Sequence, residues 1–461
     1  MHKFAHRVLP AALLLLSGCS FIPAYERPAA PVAAQWPDAV KADGKQAIAG
    51  LSWQQMLPDP RLQALIAAAL DHNRDLRIAV ARVEEARALY GITRADQLPT
   101  VNLGAVQSVA RTPADLSVTG KEMISRRYDV NLGVSAFELD FWGRVKSLGE
   151  SARASYLATE EARAAFRLSL IADVANAYLA VREFEERLQL AHATLENRKD
   201  MRFLVQKRRD VGLAGDLDFL AADGAYEAAR AQLADLERSR AQSENALTLL
   251  VGKVPADLPA GRRLTEQNIP LDLKVEVPSD VLLNRPDVRA AEHRLVAANA
   301  NIGAARAAFL PRIGLSLAFG TASPTLSGLF DSGSGAWSFT PNLVQPLFDV
   351  GRTQANVDLA SARKVIAVAD YEKTIQQAFR ELADLLVARD RFAEQLKAQE
   401  AGEKAQNDRL RLVEARYKAG ASSYLEVLDA QRDYYAAQQG AVQTRRFLLS
   451  TAVQLYKALG G

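Results

Sequence analysis

The sequence predicts a mainly α-helical chain with a small transmembrane β part, built as an internal two-fold repeat. Three observations predict it. Alanine-rich, charge-dotted stretches nearly free of Pro and Gly run for roughly 50 residues at a time, far beyond an ordinary globular helix. Four short segments break that texture by alternating apolar with small or polar residues. Both textures then recur in the same order in the two halves of the 461 residues.

The N-terminus comes first. Lys3 and Arg7 precede an apolar core from Val8 to Leu16, the layout of a secretory signal peptide over residues 1–18. Leu16-Ser17-Gly18-Cys19 has the form of a bacterial lipobox, and Cys19 is the single cysteine of the chain. It therefore has no thiol to pair with, and as the first mature residue it would carry acyl chains that bury methylenes in a membrane. Serine rather than aspartate at position 20 points to the outer membrane. A plain signal peptide with a chance cysteine is the alternative. Residues 19–61 are then a lipid anchor and an extended N-terminal strap, because Pro23 to Gly50 is rich in Pro, Ala and Gln and has no period.

Composition narrows the class. The hydrophobic share is 49% and the charged share 24%, values of a water-soluble surface. No apolar run beyond the leader approaches the roughly 20 residues of a membrane helix. Removing Lys3 and Arg7 from the 57 Lys and Arg leaves 55 bases against 54 acids, so no basic stripe is left to neutralise nucleic-acid phosphates.

From Leu62 onward the helices dominate. The two longest run from about Val145 to Leu195 and from about Thr353 to Gly402, roughly 75 Å each at 1.5 Å per residue. The first carries one apolar stripe at Leu168, Ile171, Ala175 and Tyr178 and a second at Ala165, Ala172 and Leu179. A helix with two such stripes packs on two sides at once, as in a wall or closed ring.

The strand candidates are 101–111, 128–139, 313–319 and 337–348. In the first, Val101, Leu103 and Ala105 alternate with Asn102, Gly104 and Val106; in the second, Val130, Leu132 and Val134 alternate with Asp129, Asn131 and Gly133. That period suits membrane-barrel strands. Pro341 and Pro346 interrupt the fourth.

The repeat fixes the domains. Asp75-Leu76, Arg94 and Leu98-Pro99 match Asp287-Val288, Arg306 and Leu310-Pro311 at an offset of 212; Gly143-Arg144 and Gly212 match Gly351-Arg352 and Gly420 at 208. The first repeat spans 62–250 with a tip near 212–218, a connector spans 251–284, and the second repeat spans 285–461 with a tip near 420–429. Each half reads helix, strand, strand, long helix, shorter helix, turn, helix. Four strands cannot close a barrel, and lipid tolerates no open sheet edge. Three chains sharing one 12-stranded β-barrel, with a long α-helical barrel beneath, satisfy both conditions.

Several runs carry a family resemblance: Trp53 with Asp59-Pro60 and Leu62; Ala81-Arg82-Val83-Glu84-Glu85-Ala86-Arg87; Phe137-Glu138-Leu139-Asp140-Phe141-Trp142-Gly143-Arg144; Asn284-Arg285-Pro286-Asp287-Val288; and Tyr424-Leu425-Glu426-Val427-Leu428-Asp429-Ala430-Gln431. The chain resembles TolC-like outer-membrane efflux proteins of the OprM-like lipoprotein branch, which serve resistance-nodulation-division drug pumps. The resemblance spans nearly the whole mature chain. It implies a homotrimer in the outer membrane extending into the periplasm. Its partners would be a periplasmic adaptor protein and an inner-membrane resistance-nodulation-division transporter, and its cargo small hydrophobic or amphipathic compounds. The exit duct of a type I protein-secretion system and a non-conducting envelope tether are the alternatives; gene neighbourhood separates the first of them.

The second tip is the expected gate. Leu425, Glu426 and Asp429 lie within about a turn, so threefold symmetry makes each a ring. In the family's pattern the position of Leu425 is an apolar constriction, and those of Glu426 and Asp429 form an acidic ring. Ser423 to Glu426 also reads as a capping box, a role compatible with the first. In the first tip, Asp216 is expected to cap its helix and Asp218 to contact the gate or the adaptor. Arg416 and Tyr417 either hold neighbouring helices shut or pack as ordinary coiled-coil residues. Gly212 and Gly420 read as C′ caps of exposed tips suited to adaptor docking. No catalytic residue, metal site or cofactor is expected beyond a lipid on Cys19: His72, His192 and His293 lack ligand spacing, and no nucleotide-binding fingerprint follows a strand.

Overall fold

Helix and strand follow one another in the order the two textures set. The structure is a computed structural model that describes residues 20–33, 36, 46–47, 51–271, 273–274 and 282–461. The expected signal peptide, Cys19 and parts of the strap and connector lie outside the described residues. The first repeat contributes α1 (Trp53–Met56), α2 (Pro60–His72), α3 (Arg74–Ala95), β2 (Val101–Thr112), β3 (Met123–Glu138), α4 (Arg144–Asp210) and α5 (Asp216–Val251). The second contributes α6 (Pro286–Ala307), β5 (Arg312–Ser323), β6 (Gly335–Val344), α7 (Arg352–Lys418) and α8 (Tyr424–Ala458). Two short strands, β1 (Gln46–Ala47) and β4 (Leu273–Lys274), pair in parallel.

Two compact units result: one from residues up to Ala29 with Arg82–Glu160 and Ala290–Tyr371, the other from Ala30–Ala81, Glu161–Arg289 and Glu372–Gly461.

The first unit holds an antiparallel sheet of order β2-β3-β5-β6, in which β3 joins the hairpin of one repeat to that of the other. Its register sorts the side chains. Leu103 lies opposite Leu132, Leu132 opposite Phe319 and Phe319 opposite Trp337, and the next row is Val101, Val134, Leu317 and Phe339. Paired residues share a face, so these eight make one apolar surface. The other face carries Asn102, Gly133, Ala318 and Ser338, then Gly104, Asn131, Gly320 and Ala336. Most of the apolar face is bare, with Leu103 74%, Phe319 72% and Trp337 77% exposed, while Val134 is 7% exposed. A bulge between Val134 and Phe137 holds Ala136 at φ +54°, its N–H donating to Ser316 Oγ at 3.0 Å. Pro341 falls inside β6, the edge strand of the sheet within this chain, where proline is tolerated better than in a central strand.

The strap lies on this unit. Glu292 of α6 accepts from Tyr25 Oη at 3.1 Å and from Arg27 Nε at 2.7 Å, and Asn299 Nδ2 donates to the carbonyl of Pro23 at 2.8 Å. Gly303 makes the approach possible, since a Cβ there would meet Ile22 Cγ1 at 2.6 Å.

In the second unit the core gathers Leu62, Leu65 and Ile66 of α2 with Val174, Ala175, Tyr178 and Leu179 of α4 and Leu449, Val453 and Leu455 of α8. Both apolar stripes of α4 thus enter packing, with Ile171, Ala172, Ala175, Tyr178 and Leu179 buried. The hydropathy expectation is corrected here: α4 contains a stretch apolar enough by length and composition to cross a membrane. Part of that stretch, including Ile171, Ala175, Tyr178 and Leu179, is buried in this core.

Buried within this core, Asp59 caps α2 through Arg61 N at 2.9 Å and accepts from Tyr178 Oη at 2.7 Å, Gln267 Nε2 at 3.0 Å and Arg262 N at 3.2 Å. Burial raises its pKa, and these hydrogen bonds, led by Tyr178, more than offset that and hold the carboxyl below the usual aspartate value.

The long helices run further than the pattern suggested. Each of α4 and α7 is 67 residues, about 100 Å at 1.5 Å per residue, and among the described residues no separate shorter helix stands between either long helix and its tip. Polarity beyond Leu195 and the glycine at 402 hid the continuation. Those polar turns are held by pairs three residues apart, such as Lys199 with Glu196 at 3.1 Å and Arg411 with Asp408 at 3.5 Å. Strand β3 likewise starts five residues before the expected 128.

Replacing Asp59 by Asn turns one acceptor into a donor facing donors, and should cost about 2–3 kcal/mol in chemical unfolding. Because the folded pKa is depressed, the carboxylate's contribution is complete above about pH 4 and is lost as pH falls through the folded value. Asp59→Asn should therefore flatten the acid limb of a stability–pH curve; an unchanged limb counts against the assignment.

Candidate functional site

Both helical hairpins turn in the same way. At the second tip Gly420 (φ +77°) donates its N–H to Tyr417 O at 3.0 Å and Ala421 N–H donates to Arg416 O at 2.8 Å. At the first tip Gly212 (φ +77°) donates to Arg209 O at 2.9 Å and Leu213 N–H to Arg208 O at 2.7 Å. Each is a Schellman closure with glycine at C′, where the left-handed backbone excludes most side chains.

The helices that leave the tips are capped differently. Ser423 is the N-cap of α8: its Oγ accepts from Glu426 N at 3.3 Å, while Ser423 N–H donates to Glu426 Oε1 at 3.3 Å. Ser422 Oγ donates to Glu426 Oε2 at 2.6 Å. The hydrogen bonds from Ser422 and Ser423 hold the Glu426 carboxyl below its usual range, with nearby Arg416 adding to the effect. Both oxygens of Glu426 are thus engaged by its own turn. At the first tip the N-cap is Gly215, with no side-chain cap bond, and Asp216 is the first helical residue. The expected capping by Asp216 is therefore corrected. A carboxylate one position inside the helix meets the dipole instead, and Asp216 Oδ1 lies 4.0 Å from Arg209 Nη1.

Leu425 and Asp429 separate from Glu426. One turn apart on α8, they share a wall with Leu428 and Arg432, and Asp429 pairs with Arg432 at 3.2 Å. Leu425 is 63% exposed, a large apolar side chain left mostly uncovered at a hairpin end.

Of the expected helix-locking pair, Arg416 Nη2 donates to the carbonyl of Ala421 at 3.2 Å, within its own turn. Tyr417 is buried with Val205, Ala222, Tyr424 and Val427, so it joins the two hairpins by packing. Its ring lies 5.9 Å from Tyr424 and 5.0 Å beneath the Arg208 guanidinium. Asp218 is half-buried, and its charge acts on Tyr424, whose hydroxyl is pushed up to about 12, chiefly by burial.

Sequence reasoning missed Arg208, Tyr424 and Arg198. Arg208 sat in a basic run that reads as solvated, and Tyr424 inside a motif whose acids drew the attention. Arg198 is buried on a stretch of α4 whose neighbours are polar. Among the described residues no group of His, Cys, Asp or Glu is arranged to hold a metal ion.

The family model described as outer membrane efflux protein matches residues 65–253 and 277–461. The chain belongs to that family. The two matched ranges coincide closely with the two repeats. Among curated relatives of this outer membrane efflux protein, the toluene efflux pump outer membrane protein TtgF of Pseudomonas putida is 47% identical over 467 residues, covering 99% of this chain and 96% of the relative. The outer membrane protein OprJ of Pseudomonas aeruginosa is 44% identical over 449 residues, covering 97% and 94%. Among solved structures, the open state of the Neisseria gonorrhoeae MtrE outer membrane channel matches with a TM-score of 0.88 at 40% identity, covering 96% of this chain and 98% of that one. A membrane protein from Pseudomonas aeruginosa matches with a TM-score of 0.89 at 43% identity, covering 96% and 100%.

Removing the hydroxyl that caps α8, by Ser423→Ala, should cost the helix start about 1 kcal/mol. Amide exchange at Val427 and Leu428 should quicken roughly fivefold while the α5 start is unaffected. Equal protection in both proteins would contradict the capping role.

Proposed function

We propose that this outer membrane efflux protein is the exit duct of a tripartite pump, three copies of which close one barrel in the outer membrane. One observation carries the reading: a four-stranded sheet with a largely bare apolar face and, among the described residues, unpaired outer edges on β2 and β6. Lipid accepts the face and rejects the edges, and three sheets pairing β6 to β2 remove every edge. The small and polar face then lines the passage.

The tip is proposed as the gate. Leu425 supplies an apolar ring and Asp429 an acidic one, while Glu426 is spent on capping and shapes the ring only through the helix start. Asp218 and the Tyr417 cluster hold the two hairpins against each other, and Gly212 and Gly420 keep the tips short enough to meet a periplasmic adaptor. An inner-membrane transporter of the resistance-nodulation-division kind supplies the energy. Toluene, solvent and antibiotic pumps among the relatives support small hydrophobic or amphipathic cargo. The chain itself performs no chemistry on what it passes.

We also propose that Cys19 is acylated. The strap supports this by its direction: contacts from Arg27 to Ile22 run from Glu292 to Gly303, so its N-terminal end heads toward Ala307 and the start of β5.

In planar bilayers, Leu425→Ala combined with Asp429→Ala should raise closed-state single-channel conductance several-fold over the parent; identical conductance would sink the gate assignment. Metabolic labelling with palmitate should mark the parent protein and leave Cys19→Ala unlabelled, and label retained in the variant rules the anchor out.

A further inference from the structure

A cavity of about 360 Å³ opens among α4, α5 and α8 behind the tips. Most of its wall is apolar: Ala191 of α4, Ala228 and Ala229 of α5, Leu425 and Leu428 of α8. Its volume falls at the small end of the roughly 300–1,000 Å³ common for small-molecule sites. Three charged residues reach it. Asp429 lies 3.2 Å from Arg432, which also pairs with Asp433 at 3.0 Å, so these charges offset one another and Arg198 is the cation of the wall whose Nη1 is left unmatched.

Arg198 is only 7% exposed, and its Nη1 has no hydrogen-bond partner. Burial pulls its pKa below the usual arginine value, yet a guanidinium does not give up its proton under ordinary conditions. The group is therefore a cation held in an apolar wall, and a buried cation calls for an anion. Tyr435, in the same wall, has a buried hydroxyl that likewise lacks a partner. A neutral apolar guest would leave both groups unsatisfied, and a cationic one would add repulsion.

We propose that this cavity binds a small amphipathic organic anion, its carboxylate or sulfonate held by Arg198 and Tyr435 and its apolar body by the alanines and leucines. Such a ligand touches both hairpins. It favours the arrangement of α8 against α4 and α5 seen here, a consequence that rests on the gate reading, whereas binding itself does not.

The test is calorimetric and independent of conduction. Naphthalene-2-sulfonate is titrated into the full-length protein in a non-ionic detergent, with naphthylmethylammonium as the cationic control. One sulfonate per chain is expected, with the ammonium not binding. Arg198→Leu should weaken the sulfonate about tenfold or more, and Arg198→Lys should restore most of the affinity. Ala228→Phe, which fills the cavity and leaves the charge in place, should abolish binding and decides the matter should the arginine variants misfold. Undiminished affinity in Arg198→Leu or in Ala228→Phe, or equal binding of the ammonium, overturns the proposal.

Discussion

A backbone amide in hydrocarbon has nowhere to turn but another backbone, and the four-stranded sheet of this protein is built under that constraint. Within the sheet every neighbouring pair is laddered, from Val101 opposite Val134 to Arg312 opposite Val344. At its outer sides β2 and β6 have no strand to bond among the described residues of the chain. The apolar rows cannot be hidden by folding the chain differently, because the register that aligns Leu103, Leu132, Phe319 and Trp337 also aligns the small and polar residues opposite them. Much else serves this sheet: a strap docked through Glu292 on the same unit and a bulge at Ala136.

The strands were legible because a sheet wet on one side and lipid-facing on the other alternates strictly, and alternation survives in a single sequence. The repeat was legible because duplicated turns need the same glycines. Helix ends were less so. Past Leu195 the apolar stripes of α4 thin out, since there the helix has fewer apolar neighbours and more ion pairs, yet its hydrogen-bond ladder continues to Asp210. Asp216 shows a different limit. An aspartate beside a helix start satisfies the pattern for a cap and for a first-turn acid alike, and only backbone dihedrals tell them apart; glycine at 215 took the cap position without any side chain to bond.

At the tips the sequence placed the right residues together and could not apportion them. Glu426 and Asp429 look equivalent as acids three apart. The structure divides them: one carboxylate closes a capping box, the other faces a cavity beside Arg432. Arg198 was beyond reach, because its burial depends on three helices drawn from both repeats, and nothing in the local run of residues records that convergence.

The equal length of α4 and α7 has a consequence for how such a chain can change. Val205, near the end of one, packs with Tyr417, near the end of the other. A heptad lost from either helix alone would withdraw its end by about 10 Å and part those side chains. Insertions and deletions are therefore tolerated only as matched pairs, one in each copy of the duplication. The two halves are free to drift in composition, but in length they are inherited together.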